Sequence, residues 1–155
     1  MQFSGKEDIN APIADVFRTL CDFELLERLA LRRGVDLQRM GDVRHPESGL
    51  AWEVGFSYRG KQRKLHMSIA EHQPVTNLLV KVIGSGMDGD MAVELLALAP
   101  QRTRMQVVLD VRAKTLTGRL MLQSFKLAKV KLNEGFDRRL GEFARFAEER
   151  FTDNA

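Results

Sequence analysis

The stretch LTGRLMLQSFKLAKVKLNEGFDRRLGEFARFAEERF, Leu116–Phe151, decides the fold, because it contains no proline and keeps one periodicity throughout. Met121, Phe125, Ala128, Leu132, Phe136, Leu140, Phe143 and Ala147 recur at steps of three and four, the signature of an amphipathic α-helix. At about 100° per residue they fall within an arc of roughly 100°. Lys131, Glu134, Asp137, Arg138, Glu142, Arg145, Glu148 and Glu149 point the other way. A single helix of this length extends roughly 50 Å, about twice what a small domain needs to cap its core. It must lie across a broad apolar surface, and the preceding chain has to supply one.

That chain reads mostly as strands. Phe3, Gly5, Glu7 and Ile9 alternate with polar neighbours in a first strand. Asn10-Ala11-Pro12 then reads as a helix start, with Asn10 as cap, Pro12 in the first turn and Asp15 near the positive end. Val16, Phe17 and Leu20 are its inner stripe. Asp22 and Phe23 open a second short helix through Leu25, Leu26 and Leu29, stopped by Arg32-Arg33-Gly34. From Val35 the period changes to two. Val35–Gly41 reads as a weak strand and Arg44–Gly49, with Pro46, as a loop. Four alternating runs follow. Trp52, Val54, Phe56 and Tyr58 lead to a turn at Arg59-Gly60-Lys61. Leu65, Met67 and Ile69, with Lys64, His66 and Ser68 opposite, end at Pro74. Leu78, Val80 and Val82 lead to a turn over Gly84–Gly89, and Met91, Val93, Leu95 and Ala97 to a turn at Pro100-Gln101. Met105, Val107, Leu109 and Val111 make the last strand. Strands joined by tight turns form an antiparallel meander, here with one apolar face for the terminal helix to cover. The fold class expected is α+β: a curved antiparallel sheet of about seven strands gripping one long helix.

Composition sets the frame. The chain has 155 residues, 44% hydrophobic and 29% charged, with a formal net charge of +3, which is ordinary for one globular domain spanning residues 1–155. Lys126, Lys129, Lys131, Arg138, Arg139 and Arg145 interleave with acids on the terminal helix and read as a solvated face, so no nucleic-acid partner is expected. Cys21 is the only cysteine, so no internal disulfide can form. No run has signal-peptide or membrane-spanning character, and the expected location is cytoplasmic.

The opening, Phe3-x-Gly5-x-x-x-Ile9-x-Ala11-Pro12-x-x-x-Val16-Phe17-x-x-Leu20-x-Asp22, resembles the START-like, or SRPBCC, superfamily of helix-grip proteins, which includes polyketide cyclase/dehydrase-like proteins, pollen-allergen relatives and lipid-transfer domains. The element order extends the resemblance over essentially the whole chain. The Phe-x-Gly variant is also similar to the G-type proteins associated with carbon-monoxide dehydrogenase. Where coenzyme-Q-binding relatives carry an aromatic-Pro-x-Phe-like segment, this chain has Phe23-Glu24-Leu25-Leu26. The resemblance implies a cavity between sheet and helix for an apolar small molecule. Strand parity turns Trp52, Phe56, Tyr58, Met67, Met91 and Met105 to one side, and helix phase adds Met121 and Phe125; the methionines suit a ligand of irregular shape, or else all eight fill a dry core.

Other motifs carry less. Gly84-Ser-Gly86-Met-Asp-Gly89 has the spacing of a dinucleotide loop but leads into an alternating strand, so it reads as a hairpin turn. His45, His66 and His72 are scattered and read as solvated, His66 on the outer face and the others near loops; no metal or other cofactor is expected. Asp88 and Asp90 read as turn formers, and Cys21 as a packing residue. Arg39, Glu7, Tyr58 and Arg139 have inward phase and are the polar groups that would orient a ligand or stand at an open rim. No pair makes a general acid–base constellation, so no catalytic residue is expected. Leu116, Leu120, Leu127 and Val130 lie on the polar side of the helix, either packed beneath the loop after the first helices or forming a homodimer surface. The expected function is binding or transport of a hydrophobic, lipid- or polyketide-like molecule. The alternatives are a cyclase/aromatase using Tyr58, Arg39 and Arg139, and an accessory protein acting through its surface.

Overall fold

The computed structural model describes residues 1–40 and 50–154; the expected loop over Arg44–Gly49, His45 included, and the strand end at Gly41 lie outside the described residues. Among the described residues the period-two runs form seven strands: β1 (Gln2–Ile9), β2 (Asp36–Met40), β3 (Ala51–Tyr58), β4 (Lys61–Gln73), β5 (Asn77–Ile83), β6 (Met87–Ala99) and β7 (Arg102–Ala113). They form one antiparallel sheet in the order β1-β7-β6-β5-β4-β3-β2. The register places the apolar residues on a common inner face, for example in the row Phe3–Leu109–Met91–Val80–Ile69 across five strands. Gly84–Gly86 links β5 to β6 as a hairpin.

Between β1 and β2 lie α1 (Ile13–Leu20) and α2 (Phe23–Arg32). Asn10 is not the cap of α1. Pro12 occupies that position without a side-chain bond, and the Asn10 backbone N–H donates instead to Glu148 at 3.0 Å. The turn is held from the sheet, where Thr103 Oγ donates to the Ala11 carbonyl at 2.8 Å. Asp22 does cap α2, accepting from the Leu25 N–H at 3.3 Å, and Gly34 follows its end with φ of 81°.

The terminal stretch departs from the single rod expected. It divides into α3 (Leu116–Leu127) and α4 (Lys129–Asp153) at Ala128, whose φ of −99° and ψ of 16° interrupt the helix. The Ala128 N–H is shared between the Ser124 and Phe125 carbonyls, at 3.2 and 3.1 Å, the bifurcation usual at helix ends. Alanine favours helix, so the break comes from tertiary anchoring. The start of α3 is seated on the β5–β6 hairpin, where Gly118 lies against the Gly86 carbonyl, and its end meets the β3–β4 hairpin through Ser124 and Phe125. Further on, α4 lies along β1 and against α1. One straight axis does not serve both sets of anchors.

Parity fails once more, in β4. The β4–β5 register shifts between Ile69 and Glu71, so Ala70 forms a bulge and every later side chain changes face. His72, expected near a loop and solvated, therefore pairs with Leu78 on the inner face. Its ring packs against Phe17 in a tilted arrangement, with centroids 5.2 Å apart, and its Nε2 is buried.

These contacts make two glycines of the terminal stretch behave oppositely. Gly118→Ala would drive a methyl into the Gly86 carbonyl and should destabilise the fold by about 1–3 kcal/mol. At Gly135 the nearest atom to an added Cβ is Arg138 Nη2 at 3.7 Å, so Gly135→Ala should stabilise by about 0.5–1 kcal/mol through helix propensity. Chemical denaturation of the two variants reads both effects.

Candidate ligand-binding site beneath the C-terminal helices

The inner face of the sheet is closed at one end and open at the other. On β7, Met105 and Val107 are buried, while Leu109 and Val111 are partly exposed. The same change occurs between Val93 and Met91 on β6, between Val80 and Val82 on β5, between Ile69 and Met67 on β4, and between Val54 and Phe56 on β3. The closed end is filled by Val16 and Phe17 of α1 and by Ala144 and Ala147 of α4, which join the sheet in one buried cluster. At the other end the cover is α3, which meets the sheet lightly. Phe125 touches the Tyr58 ring edge-on at 6.1 Å, and Met121 stands one turn earlier on the same helical face.

The residues singled out in the sequence therefore separate into groups. Phe56, Tyr58, Met67, Met91, Met121 and Phe125 belong to the open end and are all partly exposed. Met105 and Trp52 lie within the closed core, with 1% and 3% of their surface exposed. Trp52 packs against Phe23 of α2 at 5.2 Å. Arg39 is on the inner face opposite Trp52, where Glu27 of α2 accepts bonds from its Nη2 and, at 3.1 Å, from its Nε. Trp52 Nε1 lies 3.5 Å from the same carboxylate oxygen. Glu27 was not picked out from the sequence, although it stands one helical turn after Phe23 and so shares its face.

Arg139 does not turn inward. It is exposed and pairs with Glu142 at 3.2 Å, because the phase of α4 follows its anchors on β1 and α1 rather than the axis extrapolated from Leu116. Glu7 does face α4, paired with Arg145 at 3.4 Å. Two guanidinium groups frame Tyr58 at the rim: Arg59 and Arg63 lie 5.4 and 5.5 Å from its ring centre. Arg63, on the inner face opposite Phe56, was also missed, although it has the parity of Leu65.

Other candidate groups are engaged elsewhere. Asp88 and Asp90 pair with Lys114 and Arg112 at 2.9 and 3.0 Å. His66 faces outward between Glu53 and Ile83. Leu116, Leu120, Leu127 and Val130 are exposed and do not pack beneath another element. Two open depressions of about 400 Å³ each flank the last turns of α4, lined by residues such as Glu148, Glu149, Asp153 and, in the second, Arg150. Both lie outside the sheet–helix interior.

Burial pushes the Cys21 thiol up to about 11 from an ordinary 9.0. The folded state then holds this proton where the unfolded state releases it, so Cys21 lowers stability as pH rises from about 9 towards 11. Alkylation by iodoacetamide should be slow at neutral pH and accelerate only as the pH approaches 11, whereas urea-unfolded protein reacts as an ordinary thiol. Glu27→Gln would leave Arg39 with a neutral partner and should lower stability by about 1–2 kcal/mol in urea unfolding.

No family model and no curated protein matches the sequence. Solved structures do match the fold. A START-superfamily protein from Mycobacterium smegmatis aligns over 99% of each chain with 16% identity and a TM-score of 0.62. The Zhui aromatase/cyclase from Streptomyces sp. R1128 aligns over 97% of this chain and 94% of its own, with 11% identity and a TM-score of 0.67. A point mutant of norcoclaurine synthase from Thalictrum flavum, bound to a transition-state analogue, aligns over 97% and 95% with 10% identity and a TM-score of 0.68. No helix among the described residues is long and apolar enough to cross a membrane. With seven antiparallel strands gripping a long C-terminal helix, the chain has the helix-grip fold of the START-like, or SRPBCC, superfamily.

Proposed function

We propose that the protein binds and carries a hydrophobic small molecule, lipid- or polyketide-like in character, at the open end of the concave sheet face. One observation carries this reading: beside the buried side chains of the inner face, each of β3 to β7 has a partly exposed one on the α3 side, Phe56, Met67, Val82, Met91 and Leu109. Apolar surface that its own fold leaves in water is where an apolar ligand gains most by binding. Leu65, Met67, Val82 and Met91 make the floor, Phe56 and Tyr58 one wall, and Met121 and Phe125 the roof. The methionines and the lightly held α3 suit a ligand whose shape is not tightly specified.

A cyclase would need polar groups converging on its substrate. Arg39 is held by Glu27 and Arg139 by Glu142, which leaves Tyr58 alone of the three groups such an enzyme would use here. That favours the carrier.

Native mass spectrometry of protein purified from its own host should reveal a co-purifying apolar molecule. Val82→Trp, which adds bulk to the floor of the open end, should weaken binding of a fluorescent fatty-acid probe by tenfold or more, on the order of 1.4 kcal/mol, with the unfolding transition retained. Met91→Gln should weaken it in the same direction. A protein that carries no apolar molecule and leaves every such probe unperturbed is not a carrier.

A further inference from the structure

α3 has two apolar sides. One, with Met121 and Phe125, covers the open end of the inner sheet face. The other carries Leu116, Leu120, Leu127 and, just past the break, Val130, which are 74, 61, 92 and 75% exposed. At about 100° per residue the three leucines of α3 fall within an arc of roughly 40°, so they form a stripe and not a scatter, and exposed Val130 stands just beyond its end. Bases accompany the stripe, with Arg119 and Lys126 along one edge and exposed Lys131 just past the break. No acid occurs between Asp110 and Glu134.

A second element extends this face. The β3–β4 hairpin meets α3 through the Arg59–Ser124 hydrogen bond of 2.6 Å and the Tyr58–Phe125 contact. It brings exposed Arg59 and Lys61 beside the stripe, in a segment with no acid between Glu53 and Glu71. Nearby strand bases are answered, Arg112 by Asp90, Lys114 by Asp88 and Lys64 by Glu53. Acids resume only in α4, so the modest net charge of +3 conceals a strongly polarised surface. The exposed leucines of β6 lack such a frame: Leu96 stands opposite Arg104, which Asp8 neutralises.

We propose that the α3 stripe and the β3–β4 hairpin form a docking face for an anionic lipid bilayer. Leu116, Leu120, Leu127 and Val130 would enter the acyl boundary while Arg119, Lys126, Lys131, Arg59 and Lys61 meet headgroup phosphates, the division of labour of an interfacial helix. A second copy of the chain fits less well, because two-fold pairing would set the same bases against each other with no acid to answer them. A nucleic acid would use the bases and leave four aliphatic side chains in water. The face stands on exposure and charge, whether or not the groove holds a ligand. Because α3 is also the groove's roof, docking would bring the open end to the bilayer surface.

Flotation with vesicles of phosphatidylcholine and phosphatidylglycerol in equal parts, against phosphatidylcholine alone, tests this at low salt. The protein should float with the anionic vesicles only. Lys126→Gln with Lys131→Gln should weaken binding roughly thirtyfold, since each base near an anionic surface contributes roughly fivefold. Leu120→Gln with Leu127→Gln should weaken it on the order of tenfold. All four side chains are exposed, so both variants should unfold at the wild-type temperature. Val82→Trp, placed inside the groove, should float normally, which separates failure of the groove from failure of the face. Absence of flotation, or flotation indifferent to the leucine pair, overturns the proposal. So does a vesicle-free dimer that the leucine variant abolishes, which assigns the face to a second copy. Tight binding to duplex DNA without flotation assigns it to nucleic acid and also overturns it.

Discussion

The close approach of α4 to β1 at Gly5 governs the rest of the structure. A Cβ at this position would stand 2.5 Å from Leu140 Cδ1 and 3.0 Å from Asp137 Oδ1, so a larger residue would have to push those two side-chain ends aside where the helix lies on the strand. Phe136 then covers Phe3, Glu7 pairs with Arg145, and Glu148 receives the Asn10 N–H beyond the strand end. These contacts tie the longest helix to an edge strand and to α1. They fix which part of the sheet α4 buries, and leave the remainder to α3.

From that placement follows the difference between the two ends of the inner face. At the α1 end, Val16, Phe17, Ala144 and Ala147 seal the sheet, and Thr103 ties it to the turn before α1. At the other end, α3 is held by the Gly118–Gly86 contact at its start and by Ser124 and Phe125 near its end, with little packing between. A cover fixed mainly at its ends is free to adjust in the middle, because few buried contacts oppose its displacement.

The charges follow the same division. Along α4, acids and bases alternate and pair with one another or with β1 and α2, as in Arg33–Glu142 and Arg150–Asp22. Along α3 there are bases and aliphatic residues and no acid. The helix that is least engaged with the fold is therefore also the one whose surface is least answered from within the molecule.

Much of this was legible in the residues because it rests on local chemistry. The period-two runs give seven strands and one apolar face, Asp22 and Gly34 bound α2, and the spacing from Met121 to Ala147 gives terminal helix with one inward stripe. Phe56, Tyr58, Met67 and Met91 on the strands and Met121 and Phe125 on the helix were recognisable as inward from parity and phase alone. Parity does not say how deeply an inward side chain is covered, so Trp52 and Met105 could not be told from the rim. Nor does it survive a bulge: Ala70 turned His72 inward with no signal in the sequence. Only the tertiary structure decided that α2 supplies Glu27 to Arg39, that Arg139 faces solvent, and that the helix breaks at Ala128. Secondary structure answers to propensity and periodicity, which neighbours along the chain set. The break and the pairings answer to anchors far apart in sequence, Gly5 and Gly86 among them, which meet only when the sheet has curved.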